Sequence, residues 1–324
     1  MRKIARFILL LLIVSTVFWS FPAIMSAQSS VQYLDSVIYL RKQCPFIKSE
    51  CMYDGKVAKE VVYSSWDADA SRWKVYKKCS REYDTSCNCV GETIYTLRNG
   101  GWSNAYRYSS EYNAENRIVS SLYQRWEAEK NGWDDVCRWQ YQYNANGSIV
   151  KKEESHCLDG EWKKKYEESY SYDHAGRRTN YVLLSFEGDD CNGNKTEKYE
   201  YGENGLVSTV EGFYTGGHWG EKSEKVQFRY DGKGNLTQKD TWIGKQDELN
   251  HVETAAYLYD INTASSDVVA GDLRPFYEGL DRIVTYQDIL VSKNKPLSKI
   301  EQSDGGYSET TLYFYSGKSP KANQ

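Results

Sequence analysis

The amino-acid sequence predicts an all-β protein, an array of about 8–10 antiparallel β-hairpin repeats that forms a long curved or coiled meander sheet. A closed barrel or a sandwich is the alternative, because the apolar side of so long a sheet has to be covered. Three observations support this prediction: a tyrosine that recurs every 29–31 residues, alternating aromatic and polar residues before it, and turn residues after it. The composition agrees, since a chain that is 27% charged and 15% aromatic is typical of half-buried strands.

Residues 1–27 have the features of a secretory signal peptide. Three basic residues precede an apolar run from Phe7 to Val14, and Ser26 and Ala27 lie just before the predicted cleavage site at Gln28. The run is shorter than the ~20 residues that cross a membrane. We therefore expect an exported chain, periplasmic, cell-surface or extracellular, with no transmembrane span after cleavage.

The repeat is marked by a tyrosine directly before a turn, which we call the anchor tyrosine. Residues 28–52 precede the array as an N-terminal cap region, in which Val31–Leu34 is the expected strand. A period this regular over residues 53–260 is typical of a repeat architecture. The anchors are Tyr53, Tyr83, Tyr112, Tyr143, Tyr172, Tyr201, Tyr230 and Tyr259.

Each unit reads as two strands. In the unit that ends at Tyr143, one parity carries Trp133, Cys137 and Trp139, and the other carries polar residues such as Arg138. Side chains on a strand point alternately to its two faces. The alternation therefore predicts one aromatic face, and it places the tryptophans in the core with the tyrosines.

Two kinds of turn separate the strands. Segments such as Asn144–Gly147 and Asp173–Gly176 begin with a side chain that caps the turn and end with a glycine for positive φ. Asn99–Gly100, Asp159–Gly160 and Asn192–Gly193 are two-residue hairpin signals. Turns this tight leave no room for a crossover helix, which excludes a parallel βαβ fold.

The C-terminal part departs from the pattern. Residues 261–280 predict a loop or insertion, and residues 281–316 predict degenerate repeats, with Tyr286 marking one copy. Strands are expected at Arg282–Val291, Leu297–Gln302 and Tyr307–Tyr315, followed by a polar tail at residues 317–324.

The cysteines favour disulfides, because an exported chain with an even number of them meets an oxidising compartment. Sequence spacing leaves the pairing open, with Cys44–Cys51, Cys79 to either Cys87 or Cys89, and Cys137–Cys157 as candidates. A metal site is not expected, since Cys87 and Cys89 lie too close for a CxxC knuckle. The eight candidates are Cys44, Cys51, Cys79, Cys87, Cys89, Cys137, Cys157 and Cys191.

The segment Tyr230–Leu236 resembles a YD repeat. In that repeat Tyr-Asp is followed by two variable residues, then by Gly, then by Arg or Asn, and last by Leu or Ile. Asp173–Arg177 also matches. The long period and the Tyr313–Ser316 ending are similar to a group of secreted Bacteroidetes repeat proteins of unknown function. The resemblance covers about residues 44–316. The resemblance implies an exported β-hairpin protein and indicates no catalytic residues in this chain. The toxin shells built from YD repeats have a shorter period and many more units, so encapsulation is not implied.

No catalytic, cofactor or metal signature stands out. The four histidines form neither HxH nor HExxH, and nothing matches GxSxG or a P-loop. An acidic balance, with a net charge of -4, argues against nucleic acid as a partner.

We therefore expect a non-enzymatic binding or surface-interaction protein whose partner is a protein or a glycan. The first alternative is carbohydrate binding by exposed Trp or Tyr, with Tyr76, Tyr123 and Trp242 as the platform candidates. A glycan-active hydrolase is the second alternative.

Overall fold

The computed structural model describes residues 31–217, 220–245, 248–269 and 292–317. The predicted signal peptide, most of the predicted loop at 261–280, Tyr286, the strand at Arg282–Val291 and nearly all of the polar tail lie outside these residues.

The described residues form a single antiparallel meander of short strands. Their bounds are β1 (Gln32–Arg41), β2 (Cys44–Asp54), β3 (Val57–Asp67), β4 (Arg72–Tyr83), β5 (Cys89–Arg98), β6 (Gly101–Tyr112), β7 (Ile118–Glu127), β8 (Gly132–Tyr143), β9 (Ile149–Leu158), β10 (Glu161–Tyr172), β11 (Arg178–Glu187), β12 (Asp190–Tyr201), β13 (Val207–Gly216), β14 (Lys222–Tyr230), β15 (Leu236–Lys245), β16 (Glu248–Ala264), β17 (Val268–Val269), β18 (Asn294–Ser303) and β19 (Ser308–Ser316).

The sheet closes on itself. Consecutive strands pair from β1 to β16, β16 pairs with β18, and β18 pairs with β19. Strand β19 then returns to β1, in a register that runs from Tyr33 opposite Ser316 to Arg41 opposite Glu309. Eighteen strands make the ring, and the two-residue β17 lies beside β1. The predicted all-β meander is confirmed, and it takes the form of the closed barrel, in which each of the eighteen described strands has a partner on both sides.

One face of the sheet holds the core, and we call it the inner face. Cys51, Val61, Cys79 and Ile94 lie opposite one another across β2 to β5, and each is at most 2% exposed. Burying an aliphatic side chain this completely stabilises the fold by roughly 1.5–3 kcal/mol. The cluster continues through Tyr108, Tyr123 and Trp139, with the rings of Tyr108 and Trp139 stacked at 6.2 Å between centroids.

The anchor tyrosines join each unit to the one before it. The Tyr143 hydroxyl donates a 2.6 Å hydrogen bond to the carbonyl oxygen of Ile118, the first residue of β7. Tyr172 makes the same bond to Ile149, at 2.7 Å. This bond explains why most units carry a tyrosine at the same place, and therefore contributes to the 29-residue period. The other anchors with this bond are Tyr53, Tyr83, Tyr112 and Tyr201, and Tyr315 repeats it.

The turn after each anchor has the predicted chemistry. The Asn144 side-chain oxygen accepts hydrogen bonds from the backbone N–H groups of Asn146 and Ser148. Gly147 closes that turn with a φ of 83°. At the opposite end of the hairpins, both residues of Asn99–Gly100 have positive φ, as a type I′ turn requires. Asn192–Gly193, in contrast, is not a turn but lies inside β12, where Gly193 packs against the backbone of Gly216–Gly217.

The ends of the array are strands of the ring. The predicted cap region supplies β1 and most of β2. Strand β16 continues to Ala264, so the residues directly after Asp260 extend a strand before a 3-10 helix at Ser265–Asp267. In the described part of the chain, no helix has the length and apolar character needed to cross a membrane.

Candidate functional site

A β-bulge in the even-numbered strands shifts the register of several units. In β8, Cys137 lies opposite Tyr123, whereas Asp135 lies opposite the next residue of β7, Gln124, so Val136 is an extra residue. A bulge of this kind reverses the alternation of side chains along its strand. The equivalent extra residues in β2, β4, β6, β10 and β12 are Phe46, Tyr76, Ala105, Lys165 and Asn192.

The reversal moves the unit's first tryptophan to the outer face. Trp133 precedes the bulge and points outward, whereas Trp139 follows it, points inward and is 1% exposed. The expectation that both tryptophans share the core face with Cys137 is therefore wrong for Trp133. The expectation failed because strict alternation along a strand does not take account of one inserted residue.

The outward tryptophans of the even-numbered strands form a row, which we call the outer aromatic row. It consists of Trp73, Trp102, Trp133 and Trp162, on β4, β6, β8 and β10. Since neighbouring strands lie ~4.8 Å apart, successive members are separated by about 10 Å and the row by about 30 Å in all. Trp102 is the most open of the four, at 41% exposure.

Cations lie over three of these rings. The charged group of Lys78 is 5.1 Å from the Trp102 ring, and Arg107 is 4.9 Å from Trp133. Arg138 lies 4.7 Å from Trp162. Such contacts contribute ~0.5–1 kcal/mol at exposed sites and fix the ring orientation.

A second set of polar groups lies on the inner face of β10 to β14. The Tyr214 hydroxyl donates a 2.5 Å hydrogen bond to Glu224, and Tyr199 donates one of the same length to Glu197. Burial, reinforced by the carboxylates, raises the pKa of Tyr199 and of Tyr214 to about 12. Burial alone would lower the pKa of Lys195, but the hydrogen bonds with Glu197 and Tyr214 raise it above its usual value. Tyr199, Tyr214 and Lys195 therefore keep their protons at neutral pH.

A third arrangement joins three different metal-ligating side chains on the inner face. Cys137 on β8 lies opposite His156 on β9, and Glu154 is two residues before His156 on the same face. One ligand atom from each residue lies within 4.8 Å of the others. The Trp139 indole N–H donates a 2.9 Å hydrogen bond to Glu154. Sequence reasoning missed this cluster because it considered only Cys87, Cys89 and the histidine motifs, whereas these ligands come from two strands whose register depends on the extra residue Val150 in β9.

The structure forms no disulfide among the eight cysteines, all of which lie within residues 31–217. Strand geometry explains this. Cys137 points inward, whereas Cys157 pairs with Trp162 on the outer face. Cys44 and Cys51 are seven residues apart along β2, roughly 23 Å.

Cys79 is similarly separated from its candidate partners. It lies opposite Ile94 in mid-strand, while Cys89 is opposite Tyr83 and Cys87 is in the turn between the strands. The predicted pairings are therefore not formed.

The three platform candidates have different surroundings. Tyr123 is 2% exposed within the core, which removes it as a surface platform. Tyr76 is the extra residue of its bulge and packs partly against the core. Trp242 is half-buried, with its ring edge-on to His251 at 5.5 Å between centroids.

The fold and the outer aromatic row define a class of protein, an all-β hairpin-repeat barrel with an aromatic surface. Residues 83–151 match a family of unknown function, DUF3836. A comparison with curated proteins finds no match.

Several solved structures from Bacteroides and Parabacteroides are similar. A protein of unknown function from Bacteroides fragilis is 16% identical, with a TM-score of 0.35 over 37% of this chain and 89% of that one. A DUF3836 protein from Parabacteroides distasonis is 17% identical, with a TM-score of 0.22 over 25% of this chain and 72% of that one. A porin-like protein from Bacteroides uniformis is 8% identical, with a TM-score of 0.41 over 89% of this chain and all of that one. The match over residues 83–151 supports the predicted resemblance to proteins of unknown function.

Proposed function

We propose that this chain is an exported, non-enzymatic binding protein built from YD-like hairpin repeats, and that its outer aromatic row binds an extended glycan. The observation that carries the proposal is the row itself. Four tryptophans that the sequence would bury in the core are turned outward by bulges at one place in successive units. On β6 to β8 the core does not need them, because Tyr108, Tyr123 and Trp139 already fill the inner face there.

The immediate surroundings of the rings suit a sugar. The residue two positions after a tryptophan shares its face when no bulge lies between them. Asn104 follows Trp102 in this way, and Asp135 follows Trp133. A ring face beside an amide or a carboxylate offers stacking for the C–H side of a sugar and hydrogen bonds for its hydroxyls.

The spacing favours a chain rather than a single sugar. Members of the row recur every two strands, about 10 Å apart, which is roughly the length of a disaccharide unit. A polysaccharide that lies across the strands can therefore contact several tryptophans at once. Weak contacts then add up through effective concentration.

Binding is favoured over hydrolysis by the chemistry of the inner face. Tyr199 and Tyr214 have pKa values of about 12, and Lys195 is held as a cation by Glu197. A glycosidase needs one carboxylic acid and one carboxylate facing each other across the scissile bond. The carboxylates of this network are engaged with tyrosine and lysine instead.

Affinity electrophoresis in gels that contain neutral polysaccharides tests the proposal, with an anionic polysaccharide as a separate arm. We expect retardation of the native protein and a loss of at least about tenfold in affinity, ~1.4 kcal/mol, for Trp102→Ala or Trp133→Ala. Trp242→Ala, an aromatic substitution outside the row, is the matched control and should bind normally. Retardation that is equal in all four proteins, or absent from every gel, would refute the proposal. Retardation by the anionic polymer alone would show that the lysine and arginine side chains near the row, and not the tryptophan rings, bind the polymer.

A further inference from the structure

We propose that Cys137, Glu154 and His156 form a binding site for a divalent transition metal, with zinc as the expected ion. The cluster belongs to the inner face and stands apart from the outer aromatic row. The inference therefore does not depend on the proposed glycan binding.

The backbone register brings the three ligands together. Cys137 and His156 are directly opposite on β8 and β9, and Glu154 and His156 share a face because they are two residues apart. The ligand atoms lie within 4.8 Å of one another. Zinc ligands at ~2.0–2.3 Å in a tetrahedron are about 3.6 Å apart. A closure of about 1 Å, within the reach of side-chain rotation, completes the site.

The donor set selects the metal. A thiolate, an imidazole and a carboxylate are the three ligand types that zinc combines, whereas magnesium and calcium take oxygen ligands. Three protein ligands leave a fourth position for water or another molecule, as zinc sites with an open position do.

The surroundings orient the ligands as in established metal sites. The Trp139 indole N–H holds one oxygen of Glu154 at 2.9 Å, and the other oxygen lies 2.7 Å from Nε2 of His156. An outer hydrogen bond of this kind fixes a ligating carboxylate. Cys137 is 3% exposed, whereas the His156 side chain is 35% exposed, so an ion can reach the cluster past the imidazole.

Binding is coupled to proton release. The Cys137 thiol gives up its proton to become the thiolate ligand, and the imidazole coordinates through Nε2 with its remaining proton on Nδ1. Affinity should therefore rise with pH, and this dependence distinguishes coordination from adsorption to surface carboxylates.

The test is titration of the whole protein with Zn²⁺ by calorimetry and with Co²⁺ by absorption, under a reductant that is not itself a thiol. The background carries serine at the exposed Cys44, Cys87 and Cys191, so that these thiols cannot compete. We expect one ion per chain and a thiolate-to-cobalt charge-transfer band. Cys137→Ser and His156→Gln should each lower zinc affinity more than about tenfold, and Trp139→Phe by about tenfold.

Cys157→Ser is the matched control, because Cys157 is next to His156 in sequence but on the outer face. Thermal unfolding by circular dichroism establishes that every variant is folded. His156→Gln is the safer variant, since its side chain is partly exposed. Zinc binding that is absent from the folded parent, or that survives in His156→Gln while Cys157→Ser abolishes it, would overturn the assignment.

Discussion

The anchor-tyrosine bond provides a quantitative test of how the repeat is held together. In Tyr143→Phe the ring stays in place, and the 2.6 Å hydrogen bond from the Tyr143 hydroxyl to the Ile118 carbonyl oxygen is lost. A net hydrogen bond contributes ~0.5–1.5 kcal/mol, and leaving a buried acceptor without its partner costs ~1–3 kcal/mol. Because Tyr143 and Ile118 are half-buried, we expect a loss of about 1–1.5 kcal/mol in the free energy of unfolding, close to tenfold in the unfolding equilibrium.

Urea unfolding followed by tyrosine and tryptophan fluorescence measures this loss. Tyr95→Phe is the matched control, because the Tyr95 ring packs against Lys78 without being an anchor, and its effect should stay below about 0.5 kcal/mol. Tyr172→Phe removes the equivalent bond in the next unit and should cost as much as Tyr143→Phe. If both anchor variants unfold at the same urea concentration as Tyr95→Phe, the bond does not explain the period.

Two further predictions concern the turns that follow the anchors. Gly147→Ala should destabilise by at least about 1 kcal/mol, because Gly147 has a φ of 83° and a Cβ there would lie 2.6 Å from the Arg117 guanidinium. Gly232→Ala, where φ is ordinary and the space is open, should leave the thermal midpoint nearly unchanged. Hydrogen bonding to the backbone and side chain of its turn holds the pKa of Asp173 below its ordinary 3.8. A carboxyl group whose pKa is lowered by folding stabilises the folded state at pH values above its ordinary pKa. That stabilisation is lost as the pH falls through the folded-state pKa. Asp173→Asn, which keeps the turn cap found in neighbouring units, should therefore be less stable than wild type at pH 6 and approach it below pH ~3.8. A gap that does not narrow in acid contradicts this assignment.

Local patterns predicted the repeating parts of the fold well. The anchor tyrosines, the Asn144 turn and the Asn99–Gly100 hairpin depend on side chains within a few residues or on a fixed period, so they can be read from the sequence. The disulfide prediction failed because an even number of cysteines does not indicate which face of the sheet each side chain points to. Cys137 and Cys157 flank the same turn and yet lie on opposite faces.

The candidate sites depended on features that the pattern does not contain. The residue Val136 is one apolar residue among others in β8, but as a bulge it separates Trp133 from the core. A different extra residue, Val150 at the start of β9, sets which residue of β9 faces Cys137. A shift of one residue in a strand exchanges its two faces. The outer aromatic row follows from such an exchange, whereas the pairing of Cys137 with His156 follows from the register between β8 and β9.

The all-β class, the hairpin unit and the tight turns can be predicted from the sequence, because each depends on short-range chemistry repeated every 29–31 residues. The tertiary structure decided that the meander closes, since pairing of β1 with β19 depends on how twist accumulates over eighteen strands. It also decided which aromatic residues face outward and which ligands meet. Both depend on register between strands, a property of neighbouring segments together rather than of either one alone.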